Sequence, residues 1–379
     1  MTTTVIAGVG ICPFGRWLSA SHRELGSAAA REALRDAGIR FSDVDQTFVA
    51  SVGGGAAKAQ NIAMSLGAAR GAPIVSVEAG CGSSGSALHL GKLLIESGAA
   101  QCVLCVGAEK TPAGYVEAGY ETWQEESGLA VNPAYFALEA VEFMAATGTT
   151  EADLAEVSVK NHRHGALNPN ATYRSAVTRE EVLASTAVCD PLRLLMLCSP
   201  VDGAAAAVLM SQEAARRHGV TGPVTLLAVS VVSRIPTDGF VPMASRIIDG
   251  RTSFAERAAH MAFEEAGVGP ADLDLVECQD VDSSAELRAY SYLGLCAPGN
   301  EAALLRSGAT ALGGSQPVNP SGGLLSKGEP LGASGLGQVH ELVTQVRGRA
   351  EARQVQAARI GMAHVFGAGH TASGVIVSA

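Results

Sequence analysis

The chain carries one pattern of small and acidic residues twice, and both copies keep the same spacing without a gap. Each copy predicts a helix, a glycine that ends the helix, an acidic turn and a strand. Such units are common in α/β proteins, but the gapless register favours duplication over coincidence. The matched residues, each 229 positions apart, are Ala29 with Ala258, Ala33 with Ala262, Gly38 with Gly267, and Asp43 with Asp272.

Apolar strand-like runs alternate with helical segments on both sides of this repeat. Uninterrupted apolar strands between helices are typical of a sheet covered on both faces, so we predict an α/β fold. Residues 111–199 interrupt the alternation with a mostly helical and loop region. We therefore predict an N-terminal half of residues 1–110 and 200–220, an inserted region of residues 111–199, and a C-terminal half of residues 221–379.

The charge and length of the chain exclude several classes of protein. The 379 residues carry a formal net charge of −10, which argues against a basic nucleic-acid-binding face. No run approaches the ~18 apolar residues of a membrane span, and we see no secretory signal at the start. Eight cysteines, several of them in apolar runs, indicate reduced thiols in the cytoplasm.

The sequence contains no motif that supports a bound metal ion or cofactor. Cys102 and Cys105 are three apart in a predicted strand, so they face opposite sides and make a poor metal pair. No glycine-rich dinucleotide or phosphate-binding motif stands between a strand and a helix. We expect neither a metal nor a cofactor.

The segment around Cys81 has the features of a nucleophile site. An apolar strand ends in Gly80-Cys81-Gly82, and a helix follows from Ser83. A cysteine at a helix N-terminus lies near free backbone N–H groups and the positive end of the helix dipole. Both favour the thiolate, which is the nucleophilic form, so we expect a lowered pKa at Cys81. The alternative is a buried, inert cysteine.

Six segments follow one another along the chain: VEAGCGSSG, KNHRHGALNPNA, CDPLRLLMLCSPVDGAAAAVL, SSAELRAYSYLGLC, VNPSGGLLSKGEPLGASGLGQ and GMAHVFGAG. In this order they resemble segments of the thiolase superfamily, most closely of the sterol-carrier-protein type and its lipid-transfer-protein relatives. The resemblance implies a thiolase fold, in which two duplicated βαβαβ-type halves form a five-layered αβαβα core with an inserted loop domain. It also implies a homodimer, and Cys81 as the carrier of an acyl thioester.

The chain departs from the family at helper positions. The family's GHP turn is Gly328-Glu329-Pro330 here, and its HDCF segment corresponds to residues 279–282, Gln-Asp-Val-Asp. The HN-x-G segment reads His364-Val365-Phe366-Gly367, and the cysteine of the common CxG motif is missing. The nucleophile is retained, while the helper positions of these motifs differ.

From these segments we assign candidate site residues. Glu329 is a candidate base if burial raises its pKa, and His364 is the best remaining imidazole. The alternatives are a solvent-facing turn residue at Glu329 and a packing histidine at His364. The catalytic candidates are Cys81, His364, Glu329 and Asp282, and the substrate-binding candidates are Gly82, Gly323, Gly367 and His370.

The resemblance implies a thiolase-like acyltransferase that makes or cleaves a carbon–carbon bond of an acyl thioester through acyl-Cys81. The thioester is one of coenzyme A or of an acyl carrier, and the changed helpers favour a specialised reaction over core fatty-acid oxidation. One alternative is a retro-aldolase of β-hydroxyacyl thioesters that works with a small zinc-ribbon/OB-fold partner. Another is a non-catalytic subunit that binds acyl thioesters as a scaffold.

Overall fold

The computed structural model describes residues 2–53, 55–67, 71–111, 122–128, 130–235, 252–367 and 370–379. The strands are β1 (Thr4–Gly15), β2 (Gln46–Ala50), β3 (Ile74–Val77), β4 (Cys102–Glu109), β5 (Ala187–Cys189), β6 (Leu192–Arg193), β7 (Asp202–Ser211), β8 (Val224–Ser233), β9 (Leu275–Cys278), β10 (Ile360–Phe366) and β11 (Thr371–Ser378). The N-terminal helices are α1 (His22–Asp36), α2 (Lys58–Ser65) and α3 (Ser83–Glu96). The later helices are α4 (Thr122–Glu126), α5 (Asn132–Thr147), α6 (Glu151–Gly165), α7 (Arg179–Ala184), α8 (Gln212–Arg217), α9 (Phe254–Ala266), α10 (Ser283–Tyr292), α11 (Glu301–Arg306), α12 (Gly323–Lys327) and α13 (Ser334–Val346).

The main sheet has the strand order β3-β2-β4-β7-β1-β8-β11-β10-β9. This order is symmetric about the contact between β1 and β8, where Val5 pairs with Thr225 and Ile6 with Val224. The strand that would correspond to β3 is reduced to one parallel bridge from Val276 to Val318. The two halves therefore have the same strand order and are joined edge to edge.

Helices form layers outside and between the two halves of the sheet. α1 packs on β1, β7 and β4, and α9 packs on β8 and β11. α3 contacts β4 and β2 of the first half and β8 and β11 of the second, while α13 contacts β7 and β1 as well as β10 and β9. Since α3 and α13 also contact each other, they form a central helical layer. The five-layered thiolase fold is confirmed.

The repeat seen in the sequence corresponds to matching elements. Gly38 lies just after α1 with φ +70°, and Gly267 lies just after α9 with φ +67°. Both glycines adopt the left-handed conformation that ends helices at low steric cost. A short 3₁₀ turn and then a strand, β2 or β9, follow in each copy. The alanines of the two copies are buried, so the repeated small residues let each helix lie close to its sheet.

The described part of the inserted region contains α4 to α7 and the short hairpin β5–β6. This agrees with its predicted helical and loop character, while residues 112–121 and 129 of that region lie outside the described residues. The domain boundaries stay predictions. Among the described residues, no helix combines the length and apolarity needed to cross a membrane.

Candidate active site

Cys81 lies in a short turn between β3 and α3 that its own hydrogen bonds hold in place. Gly80 has φ +57°, which lets the chain turn sharply. The Ser83 hydroxyl donates to the Gly80 carbonyl at 2.6 Å and accepts from the Ala79 N–H at 2.9 Å. The Cys81 side chain is buried, with the residue only 6% exposed. The turn therefore fixes the thiol inside the protein, two residues before the helix.

Glu329 contacts the thiol of Cys81. The two residues are 248 positions apart, and the Cys81 thiol donates to Glu329 Oε1 at 3.5 Å. Glu329 is 4% exposed, so its side chain is not in solvent. Its backbone pairs with the segment before β7, because its N–H donates to Ser199 O and its carbonyl accepts from Val201 N–H.

Two further side chains complete a cluster around the Glu329 carboxylate. The Cys198 thiol donates to Oε2 at 3.0 Å, and the Gln279 amide donates to Oε1 at 2.7 Å. One carboxylate thus accepts from two thiols and one amide. We call Cys81, Cys198, Gln279 and Glu329 the dithiol–carboxylate cluster.

Burial sets the protonation of this cluster. Burial raises the pKa of Glu329 above its ordinary value, although the donors from Cys198, Cys81 and Gln279 act to lower it. Burial and the Glu329 charge raise the pKa of the Cys81 thiol well above its usual range, and the same causes raise that of Cys198. The expected lowering at Cys81 is thus corrected, because desolvation and a nearby negative charge outweigh the helix terminus.

The four predicted substrate-binding residues fall into two places. A Cβ at Gly367 would lie 2.7 Å from Cys81 Sγ, and a Cβ at Gly82 would lie 3.0 Å from Thr371 Cγ2. His370 N–H donates to Gly367 O at 3.0 Å, so the structure brings Gly82, Gly367 and His370 close to Cys81. Gly323 contacts a different residue, since its Cβ would lie 2.1 Å from Asp280 Oδ2.

His364 lies away from the dithiol–carboxylate cluster. Its Nε2 is 2.9 Å from the carbonyl of Ala255 in α9, so Nε2 carries the proton. Its neighbour Val365 points to the opposite face, towards Gly335 of α13. Burial lowers the pKa of His364 to about 4, so the imidazole is neutral at pH 7. The structure supports the packing alternative for this residue.

Asp282 caps a helix. Its carboxylate accepts from the N–H groups of Ser284 and Ala285, at 2.7 and 3.1 Å, at the start of α10. Its other oxygen is 3.7 Å from the buried guanidinium of Arg288. The structure therefore gives Asp282 contacts that position a helix and an arginine, and does not bring it to Cys81.

Sequence reasoning missed Cys198 and Gln279 as site residues. Cys198 stands in LLMLCSP, just before the strand that pairs with Glu329, and nothing local marks it as polar or reactive. Gln279 follows β9, the strand that corresponds to β2 in the repeat. Its position at the carboxyl end of a buried strand could have identified Gln279 as a site residue, since binding residues often lie at such ends.

Family models cover both halves of the chain. A model described as "Thiolase, N-terminal domain" matches residues 4–213, and one described as "Thiolase C-terminal domain-like" matches residues 243–379. The chain belongs to the thiolase family. The predicted family is confirmed, including its sterol-carrier and lipid-transfer branch.

Relatives of this thiolase-family chain have different described activities. Acetyl-CoA acetyltransferase of Methanothermobacter thermautotrophicus is 37% identical over 386 residues, covering 98% of each chain. Human sterol carrier protein 2 is 34% identical over 383 residues, which cover 96% of this chain and 70% of that protein. A solved structure described as an Ltp2-ChsH2(DUF35) aldolase superposes with a TM-score of 0.86 at 25% identity, covering 100% of this chain and 98% of that one. The proteins that this chain is similar to therefore include both an acetyltransferase and a structure described as an aldolase.

Proposed function

We propose that this thiolase-family protein is an acyltransferase that makes or cleaves a carbon–carbon bond of an acyl thioester through an acyl-Cys81 intermediate. The observation that carries the proposal is the 3.5 Å contact between the Cys81 thiol and Glu329. A buried thiol with a raised pKa needs a base at the moment it attacks, and the carboxylate is in place to accept its proton.

Glu329 performs the work of a base in this proposal. In the cleavage direction, Cys81 Sγ bonds to the keto carbon of a β-ketoacyl thioester, and the thiol proton moves to Glu329. The adjacent carbon–carbon bond then breaks and leaves the acyl group on Cys81. The other fragment takes the electron pair of that bond, leaves as the enolate of an acyl thioester and takes up a proton at its α-carbon. A second thiol, of coenzyme A or a carrier, attacks that acyl group and restores Cys81. The raised pKa of Glu329 makes its carboxylate a stronger base than an exposed glutamate.

The cluster fits a specialised reaction better than core fatty-acid oxidation. Where the family's GHP turn has histidine this chain has Glu329, and an ionised carboxylate donates no hydrogen bond to a developing oxyanion. Donors must therefore come from elsewhere, and the backbone N–H groups at the start of α3 are the candidates nearest Cys81. We expect no bound cofactor, with the thioester itself as the substrate.

A retro-aldolase is the second candidate, and the aldolase assembly of the similar solved structure favours it. That reaction removes the proton of a β-hydroxyl group and needs no acyl-cysteine. Glu329 would then act on the hydroxyl instead of the thiol. In this case we propose that the chain works with a small zinc-ribbon/OB-fold partner protein, because the description of that structure names two proteins.

Exposed apolar side chains support a homodimer. Val75 on the edge strand β3 is 43% exposed, and Leu90 and Leu93 on α3 are 39% and 50% exposed. An open strand edge beside apolar residues suits pairing with a second copy.

All eight cysteines are free thiols, which supports a reducing compartment such as the cytoplasm.

Intact-protein mass spectrometry after incubation with a panel of acyl-CoA thioesters tests the proposal. We expect a mass gain equal to the acyl group, absent in Cys81→Ala and retained in Cys296→Ala, which removes a thiol outside the cluster. The panel is repeated with the zinc-ribbon protein encoded beside the gene, if there is one. Cleavage of β-hydroxyacyl-CoA without any adduct would replace the acyltransferase with the retro-aldolase.

A further inference from the structure

Cys198 is bound to the same carboxylate as the nucleophile but has no role in the acylation step. The two thiols occupy different oxygens of Glu329, Cys81 on Oε1 and Cys198 on Oε2. Burial and the Glu329 charge raise the pKa of Cys198 well above its usual range, so it holds its proton at neutral pH. A protonated thiol beside a base can act as an acid.

The reaction needs an acid at a second place. When the carbon–carbon bond breaks, the departing fragment is an enolate whose α-carbon must take up a proton. The Cys81 proton has moved to Glu329, on the side of the thiol that now carries the acyl group. A second donor connected to Glu329 would deliver a proton to the carbon and be recharged by the carboxyl group.

We propose that Cys198 is this second acid–base residue, and that Glu329 relays the proton between the two thiols. The inference rests on the proposed acyl-transfer function. The α-carbon takes its proton from Cys198 Sγ, and the Cys198 thiolate regains one from the Glu329 carboxyl group, which had received it from Cys81. Net, one proton moves from Cys81 to the α-carbon, and no further reactant is needed. In the condensation direction the same groups act in reverse.

The surroundings of Cys198 hold its thiol close to the nucleophile. The residue is half-buried and Cys81 is buried, and both thiols donate to the same carboxylate, at 3.0 and 3.5 Å. Its backbone is held by a bond from Cys198 N–H to Val281 O at 2.9 Å. This bond fixes the backbone of Cys198 beside the segment that contains Gln279.

Gln279 supplies a second indication that a ligand belongs here. Its amide nitrogen donates to Glu329 Oε1, and its amide oxygen is buried without a hydrogen-bond partner among the described residues. Both atoms share one carbon, so that oxygen lies beside the dithiol–carboxylate cluster. A buried acceptor without a partner is unfavourable, and a donor on the substrate, such as an amide N–H of the thioester arm or a β-hydroxyl, would relieve this cost.

Hydrogen–deuterium exchange at the α-carbon of the substrate distinguishes the role of Cys198 from that of Cys81. The probe is the acyl-CoA that gives the adduct, incubated in D₂O while deuterium uptake at its α-carbon is followed by NMR and the adduct by intact mass. In Cys198→Ala we expect an adduct within threefold of wild type and exchange slowed at least ~100-fold, the usual range for a lost acid–base group. Cys198→Ser should fold alike and keep partial exchange, and Cys296→Ala should change neither.

Two outcomes would overturn the inference. Exchange within threefold of wild type in Cys198→Ala would show that another group protonates the carbon. Loss of adduct and exchange together, in a variant that unfolds at the wild-type temperature, would make Cys198 a residue that positions Glu329. Exchange by wild type without any adduct would reject only the acyl-Cys81 intermediate of the proposed function. The Cys198 variants would still show whether Cys198 exchanges the proton at the α-carbon.

Discussion

Gly367 leaves no room for a side chain beside Cys81. A Cβ placed on Gly367 would lie 2.7 Å from both the Cβ and the Sγ of Cys81. Real Cβ atoms essentially never approach other atoms this closely. Gly367, the residue directly after β10, therefore forms one wall of the nucleophile site.

Gly367→Ala should therefore displace the thiol from Glu329. We expect a drop of ~100-fold or more in the rate of Cys81 acylation, and about 1–3 kcal/mol less stability from overpacking. Gly269→Ala is a matched control, because its new Cβ would have only Asp272 Oδ2 nearby, at 3.8 Å. The measurements are stopped-flow or quenched acylation followed by intact mass, and urea unfolding. Acylation at the wild-type rate in Gly367→Ala would show that the contact does not constrain the thiol.

Glu329→Gln should change catalysis and thiol reactivity in opposite directions. Loss of the base should slow acylation by ~10²–10⁴-fold. The neutral amide also removes the negative charge that raises the pKa of the Cys81 thiol, so the variant holds more thiolate at a fixed pH. We expect faster alkylation of Cys81 by iodoacetamide at pH 8, measured by peptide mass. Slower alkylation together with slower acylation would indicate a distorted site instead of a lost base.

The raised pKa of Glu329 gives the reaction an acid limb. The base must be ionised, so acylation in wild type should fall as the pH drops through a pKa above the ordinary glutamate value, and the residual rate of Glu329→Gln should lack this limb. The raised pKa of Glu329 affects stability in the opposite direction: a rising pH favours acylation but lowers the stability of the folded protein. A carboxyl whose pKa is raised on folding destabilises the native state once the pH rises above its unfolded value. Glu329→Gln should therefore melt at a higher temperature than wild type at pH 8, with the difference shrinking towards pH 4.

The local parts of the molecule were predictable from sequence. The 229-residue repeat led to matching helices, left-handed glycines and strands, because each feature depends on residues within one short segment. The Cys81 turn followed from the same local rules, which place glycine and serine between a buried strand and a helix. Glu329 was found as a candidate by its place in a known motif, and its burial confirms the condition set for a base.

The contacts between distant segments were not predictable. Glu329 is 131 residues from Cys198 and 248 from Cys81, and no sequence pattern shows which carboxyl oxygen accepts from which thiol. The direction of His364 depends on strand register, since a shift of one residue would move the imidazole to the face of α13. The direction of the pKa shift at Cys81 was missed because it depends first on burial of the thiol and second on the charge of Glu329, and both come from contacts with distant segments.

His364→Gln tests whether the buried imidazole serves stability alone. The glutamine amide can still donate to Ala255 O but does not titrate. We expect acylation within threefold of wild type. The folded pKa of about 4 lies below the ordinary 6.5, so wild type should lose up to about 3 kcal/mol of stability as the pH falls from 6.5 towards 4. The variant should lack this part of the loss, as measured by urea unfolding at several pH values. A large loss of acylation in a folded variant would return His364 to the catalytic candidates.

Asp282→Ala tests the same distinction for a buried carboxylate. The substitution removes the cap of α10 and leaves the Arg288 guanidinium with Glu139 as its remaining charged partner in the described part of the chain. We expect a stability loss of about 2–4 kcal/mol, the cap supplying ~1 kcal/mol of it and the buried arginine the rest. Thr178→Ala is the matched control, since Thr178 caps α7 at the surface by accepting from Glu181 N–H at 3.1 Å, and should cost only ~1 kcal/mol. Acylation per folded molecule should stay within threefold of wild type in both variants. A folded Asp282→Ala protein with acylation reduced ~100-fold would mean that the carboxylate acts on the substrate and that capping is not its main role.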